Sequence, residues 1–116
     1  MARTPTRGDV SALILAVLSE GALHGYAIAR EVERRSENAL ALREGSLYPA
    51  LRDLETRGFI VGTWDDVTAP TGTPARKTYK LTAAGQTELE KQAREWQIYA
   101  RALDGFLGGK TNAKQT

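Results

Sequence analysis

At 116 residues, 41% of them hydrophobic, the chain has room for one small domain with an appended helix. The absence of cysteine excludes a disulfide framework and thiolate metal sites, and a formal net charge of +2 biases it only weakly toward polyanions. Its longest apolar run, residues 12–18, is far short of the roughly 20 residues of a membrane span, and residues 1–9 lack a signal-peptide core. The expectation is a soluble cytoplasmic protein with no membrane partner.

Residues 1–8 carry Arg3 and Arg7 and no acid, and are expected to form a flexible arm. Asp9 is an N-cap candidate for a first helix, in which Val10, Leu13, Ile14, Val17 and Leu18 recur at helical spacing up to a stop at Gly21. Residues 22–25 form a short turn, and a second helix is expected over residues 26–35 with Ile28 and Val32 facing inward. A connector over 36–43 leads to the stretch around which the chain is organised, residues 44–60. There Leu47, Leu51 and Leu54 fall at i, i+4 and i+7 and share one stripe of a third helix, while Tyr48, Arg52 and Glu55 share the opposite face. Pro49 is comfortable only near a helix start, which places that start between Glu44 and Ser46. Gly58 suits the left-handed position at a helix stop.

A strand over 59–64 follows, then turn chemistry without period over 65–75, then an alternating strand over 76–81. Three helices followed by a hairpin with a long polar tip describe a winged helix-turn-helix over 9–81, a mainly α (α+β) fold with a two-stranded wing. Thr82 caps the last helix, expected over 82–107, in which Leu89, Ala93, Trp96, Ala100, Leu103 and Leu107 alternate steps of four and three. This seam is roughly 28 Å long and needs a partner. A second copy of the chain is the simplest one, with Leu89, Trp96, Leu103 and Leu107 at the dimer interface. Residues 108–116 are expected to be a disordered tail.

Enzyme chemistry finds little support. His24 is the sole histidine, no metal-ligand cluster or phosphate-binding glycine loop is present, and no cofactor is expected. A hydrolase built from Ser46 and His24 requires those two side chains to touch. The helix-turn-helix instead points the start of its third helix at base edges in the major groove. In this chain that places Gly45, Ser46, Tyr48, Pro49 and Arg52 toward DNA, with Arg76 and Lys77 on the wing and Arg3 and Arg7 on the arm reaching the backbone or minor groove. Taken singly, Arg52 and Arg57 read better as partners of nearby acids such as Asp53 and Glu55 on a wet helix face. Their place in this topology favours DNA. The alternative from another class is a winged-helix module that binds protein through the same helix.

Three blocks in order carry a closer likeness: Leu23-His24-Gly25-Tyr26, then Gly45-Ser46-Leu47-Tyr48-Pro49-Ala50-Leu51 with Leu54 and Gly58-Phe59-Ile60, then Arg76-Lys77-Thr78-Tyr79-Lys80-Leu81-Thr82 with Gly85. Over residues 10–105 the chain resembles the PadR family of transcriptional regulators, in the shorter subgroup with a single C-terminal helix. Its wing, residues 67–74, is longer and less charged than is usual there. The resemblance implies a homodimeric repressor on a pseudo-palindromic double-stranded operator, with Tyr26 joining the DNA-binding set. It also implies relief by a small aromatic or planar hydrophobic effector at the dimer interface, held by Trp96, Leu13, Ala16, Val17, Ala93 and Ala100. Two readings of Trp96 stand side by side: a ring that stacks on an effector, and a ring that fills the interface.

Overall fold

The computed structural model describes residues 5, 7–65 and 76–108. Among them, the elements run α1 (Arg7–Leu18), β1 (Leu23–His24), α2 (Gly25–Arg35), α3 (Glu44–Thr56), β2 (Ile60–Trp64), β3 (Lys77–Leu81) and α4 (Ala83–Leu103), followed by a π-helical segment at Asp104–Gly108. The architecture is the expected winged helix-turn-helix with a long C-terminal helix. None of the described helices is long and apolar enough to cross a membrane.

The first helix starts two residues before the expected cap, so Arg7 and Gly8 belong to α1 and not to an arm. Asp9 then falls in the first turn, where a carboxylate meets the positive end of the helix dipole. Because α2, α3 and α4 all pack on α1, its apolar surface extends well beyond one stripe. Val10, Ile14, Leu15, Val17 and Leu18 are all buried. Ile28, Ala29 and Val32 of α2 and the Leu47, Leu51 and Leu54 stripe of α3 complete the helical part of the core, closed from the sheet side by Ile60 and Tyr79.

The third helix begins at the early edge of the expected range, with Arg43 at the cap position. Pro49 therefore lies inside α3 and removes the N–H that the Gly45 carbonyl would otherwise accept from. Its other end is a left-handed stop. Gly58 has φ 80°, and the Phe59 N–H donates to the Leu54 carbonyl at 3.0 Å while the Gly58 N–H donates to that of Glu55 at 3.1 Å.

The two-stranded wing is present as the β2–β3 hairpin, and the sheet gains a third strand where a turn was expected. Its order is β1-β3-β2, because Leu23 and His24 pair antiparallel with Tyr79 and Thr78 instead of forming a free turn. Two residues cannot display a period, so nothing in the local sequence marks this strand. Within the hairpin Gly62 faces Tyr79 and Trp64 faces Lys77. The tip, residues 66–75, and most of the expected tail, residues 109–116, lie outside the described residues.

Thr82 caps α4 as expected, its Oγ1 accepting from the Gly85 N–H at 3.0 Å. The same oxygen donates to the Gly58 carbonyl at 2.7 Å, which ties the end of α3 to the start of α4. From Ala93 to Leu107 every residue of the helical tail is exposed.

Candidate nucleic-acid interface

The Leu47–Leu51–Leu54 stripe clamps α3 to the core, so the face bearing Tyr48 and Arg52 turns outward. Across from it stand the start of α2 and the base of the hairpin. Between these elements runs a cleft of about 580 Å³ lined by Tyr26, Tyr48, Arg52, Trp64, Arg76 and Lys77, with His24, Glu55 and Tyr79 in its walls. Tyr26 is 60% exposed, and the Arg30 guanidinium lies 5.8 Å from its ring centroid. Arg52 is exposed and makes no ion pair among the described residues, whereas Arg57 takes the wet-face alternative, pairing with Asp53 at 3.4 Å.

Not every expected contact residue shares this cleft. Gly45, Ser46 and Pro49 line a neighbouring groove of about 590 Å³ beside Val10 and Ser11 of α1. Arg7 opens α1, and Arg3 lies outside the described residues. Lys77 is half-buried and bonded: its Nζ donates to Glu55 Oε1 at 3.0 Å and lies 5.4 Å from the Trp64 ring centroid. Arg76 is exposed beside it.

His24 has a structural role here. Its Nε2 meets Asp65 Oδ2 at 2.9 Å, and the Thr78 hydroxyl donates to Asp65 Oδ1 at 3.0 Å. The His24 contact, then that of Thr78, hold the Asp65 carboxyl below the usual carboxylate range. These three residues pin β1, β2 and β3 together at the base of the wing. With His24 engaged by Asp65, the hydrogen bonds at this ring do not include Ser46.

A second concavity, about 840 Å³, runs between α1 and α4 and is lined by Leu13, Ala16, Leu89, Ala93 and Trp96, with Glu88, Gln92 and Glu95 on its rim. Val17 does not join it, because α1 is enclosed on several sides and this residue turns to the core at 4% exposure. Ala100, one turn beyond Trp96, is exposed outside the groove. Farther along, Leu103 and Leu107 are uncovered, and so are Tyr99 and Phe106, which the heptad count did not include. Trp96 and Tyr99 tilt against each other with ring centroids 5.5 Å apart.

Sequence reasoning put Glu55 on the outward face of the third helix but missed its bond to Lys77, and it missed Trp64 as part of the cleft. Two-residue alternation puts Ile60, Gly62 and Trp64 on one face of β2, and that signal was available for Trp64. For Glu55 the partner lies 22 residues away, at a separation that local spacing does not reveal.

Comparison with known proteins agrees with this geometry. The Transcriptional regulator PadR-like family matches residues 14–91. A transcriptional regulator from Clostridium thermocellum superposes with a TM-score of 0.79 at 27% identity, covering 87% of this chain and 92% of its own. A PadR family transcription regulator from Clostridium difficile gives 0.71 at 33% identity, covering 84% and 97%. A protein of Lysinibacillus sphaericus, known only as uncharacterized protein X, is 29% identical over 89% of this chain and 92% of its own length. Taken with the helix-turn-helix and its wing, the match over residues 14–91 makes this chain a member of the PadR-like family of DNA-binding transcriptional regulators.

Proposed function

We propose that the chain acts in the cytoplasm as a homodimeric repressor that grips a pseudo-palindromic operator and releases it when a small aromatic or planar hydrophobic molecule binds. The arrangement has a DNA-binding unit over 9–81 and a dimerisation helix over 82–107. One observation carries it: Trp96, Tyr99, Leu103, Phe106 and Leu107 stand exposed along the far half of α4 and the segment that follows it, uncovered among the described residues. Water-exposed apolar area of this size favours burial, at roughly 25 cal/mol per Å². A second copy of α4 supplies the cover with twofold symmetry. That symmetry in turn offers two α3 helices to successive major grooves, spaced about 34 Å apart.

The groove between α1 and α4 supports the effector reading. Leu13, Ala16, Ala93 and Trp96 make an apolar lining beside the dimerisation strip, so an occupant there touches the element that sets the spacing of the two recognition helices. Such a molecule weakens DNA binding only by as much as it prefers the arrangement that does not fit the operator. The direct test is fluorescence anisotropy of the protein on the DNA upstream of its own gene and on scrambled DNA across a salt series, with the mass measured by light scattering. A dimer that prefers the upstream DNA and shows a steep negative log–log salt slope is the expected result. A monomer, or a dimer with equal affinity for both duplexes, contradicts it.

A further inference from the structure

An acid occupies the cleft that is to receive a polyanion. Glu55 lies one turn along α3 from Arg52, on the same face, and both its oxygens are engaged. Oε1 accepts from Lys77 Nζ at 3.0 Å, and Oε2 accepts the backbone N–H of Gly62 at 3.2 Å. β2 is an outer strand of the sheet, so the Gly62 N–H has no further strand to pair with, and a helix side chain supplies the acceptor. The fit is close. A Cβ on Gly62 would collide with Lys77 Cε and stand 3.0 Å from Glu55 Oε2. Lys77 is confined as well, its ammonium 5.4 Å from the Trp64 centroid and 5.6 Å from that of Tyr79.

We propose that Glu55 is a positioning residue for DNA binding: it takes Lys77 as its own counterion, locks the β2–β3 hairpin onto α3, and leaves Arg52 and Arg76 as the cations of the cleft that meet DNA. The proposal rests on the DNA-binding reading above. Its physical core is charge balance. The Glu55 and Lys77 side chains are only 31% and 24% exposed, so solvent screens their attraction less than that of a surface pair. For Lys77 to reach a phosphate, the Glu55 carboxylate would be left facing the DNA unpaired, and the like-charge repulsion offsets the new contact. A lysine in this state releases no counterion when DNA binds.

The salt slope of binding reads this directly, and any labelled duplex serves, because the slope counts phosphates and not bases. Arg52→Met and Arg76→Met each flatten it by about 0.9 per protomer. Glu55→Gln retains an oxygen for the Gly62 N–H and frees Lys77, so it steepens the slope by about 0.9 per protomer, and the double variant Glu55→Gln/Lys77→Met returns to the parent value. Circular dichroism melts confirm that each variant is folded. Flattening by about 0.9 per protomer in the double variant Glu55→Gln/Lys77→Met, which removes the pair without baring a carboxylate, identifies Lys77 as a phosphate contact and overturns the proposal. An unchanged slope in Glu55→Gln overturns it too, while DNA binding stands. A parent protein that binds no duplex at any salt overturns the DNA-binding reading itself.

Discussion

His24 of β1 and Asp65, the residue at which the wing leaves β2, meet at 2.9 Å, so the strand that the local sequence does not mark is fastened to the root of the wing. This contact and the Thr78 hydroxyl depress the Asp65 carboxyl. A carboxyl depressed in the folded state contributes stability that is present above its unfolded value and lost as pH falls through the folded one. Asp65→Asn is therefore expected to lower the melting temperature at neutral pH, with the gap to the parent closing below the ordinary carboxylate value of 3.8. Thermal melts of both proteins between neutral and acid pH check this; a gap that persists unchanged in acid contradicts it.

Arg52 is an exposed cation of the cleft with no ion pair among the described residues. If it reads a base, Arg52→Ala costs about 1–3 kcal/mol on the operator and much less on random DNA. Anisotropy on the two duplexes distinguishes the roles, since equal losses identify a phosphate contact.

Leu103 lies on the uncovered strip of α4 at 37% exposure, sparing enough that a charge there does not disturb the protomer core. Leu103→Asp is expected to give a folded monomer with weakened operator binding, since one half-site is gripped in place of two. An intact dimer by light scattering would sink the assignment of this strip to dimerisation.

Two helices end in the same left-handed turn with different residues. Gly58 follows α3 with φ 80°, and Glu37 follows α2 with φ 53°, the Asn38 N–H donating to the Glu33 carbonyl at 2.8 Å. Gly58→Ala is expected to destabilise the fold by about 1 kcal/mol, although space is open around the added methyl, because the cost is in the backbone. Glu37→Gly relieves the same strain and is expected to be neutral or to stabilise by up to about 1 kcal/mol. Urea titrations at constant m-value measure both.

What the sequence displays plainly is what short-range spacing encodes. Leu47, Leu51 and Leu54, the Gly58 stop and the Thr82 cap each need only a few neighbouring residues to be recognised, and the structure places each as expected. The pairing of Leu23 with Tyr79 and the bond from Lys77 to Glu55 join distant parts of the chain, and no periodicity carries that information. Lys77 shows the consequence for the site: a cation counted as a DNA contact from its position on the wing proves to be engaged within the protein. Val17 shows another limit, since a helical stripe says which residues turn together but not which neighbour they meet.

The Thr82 hydroxyl donates to the carbonyl of Gly58, two residues past the end of α3, and accepts from the first turn of α4. The stop of α3 and the start of α4 are thus fastened together by Thr82 through both its hydroxyl and its backbone N–H, which donates to the Phe59 carbonyl at 3.1 Å. Residues 24 apart in the chain are in this way buttoned at one point, so Thr82→Ala would loosen the end of α3 and the start of α4 together.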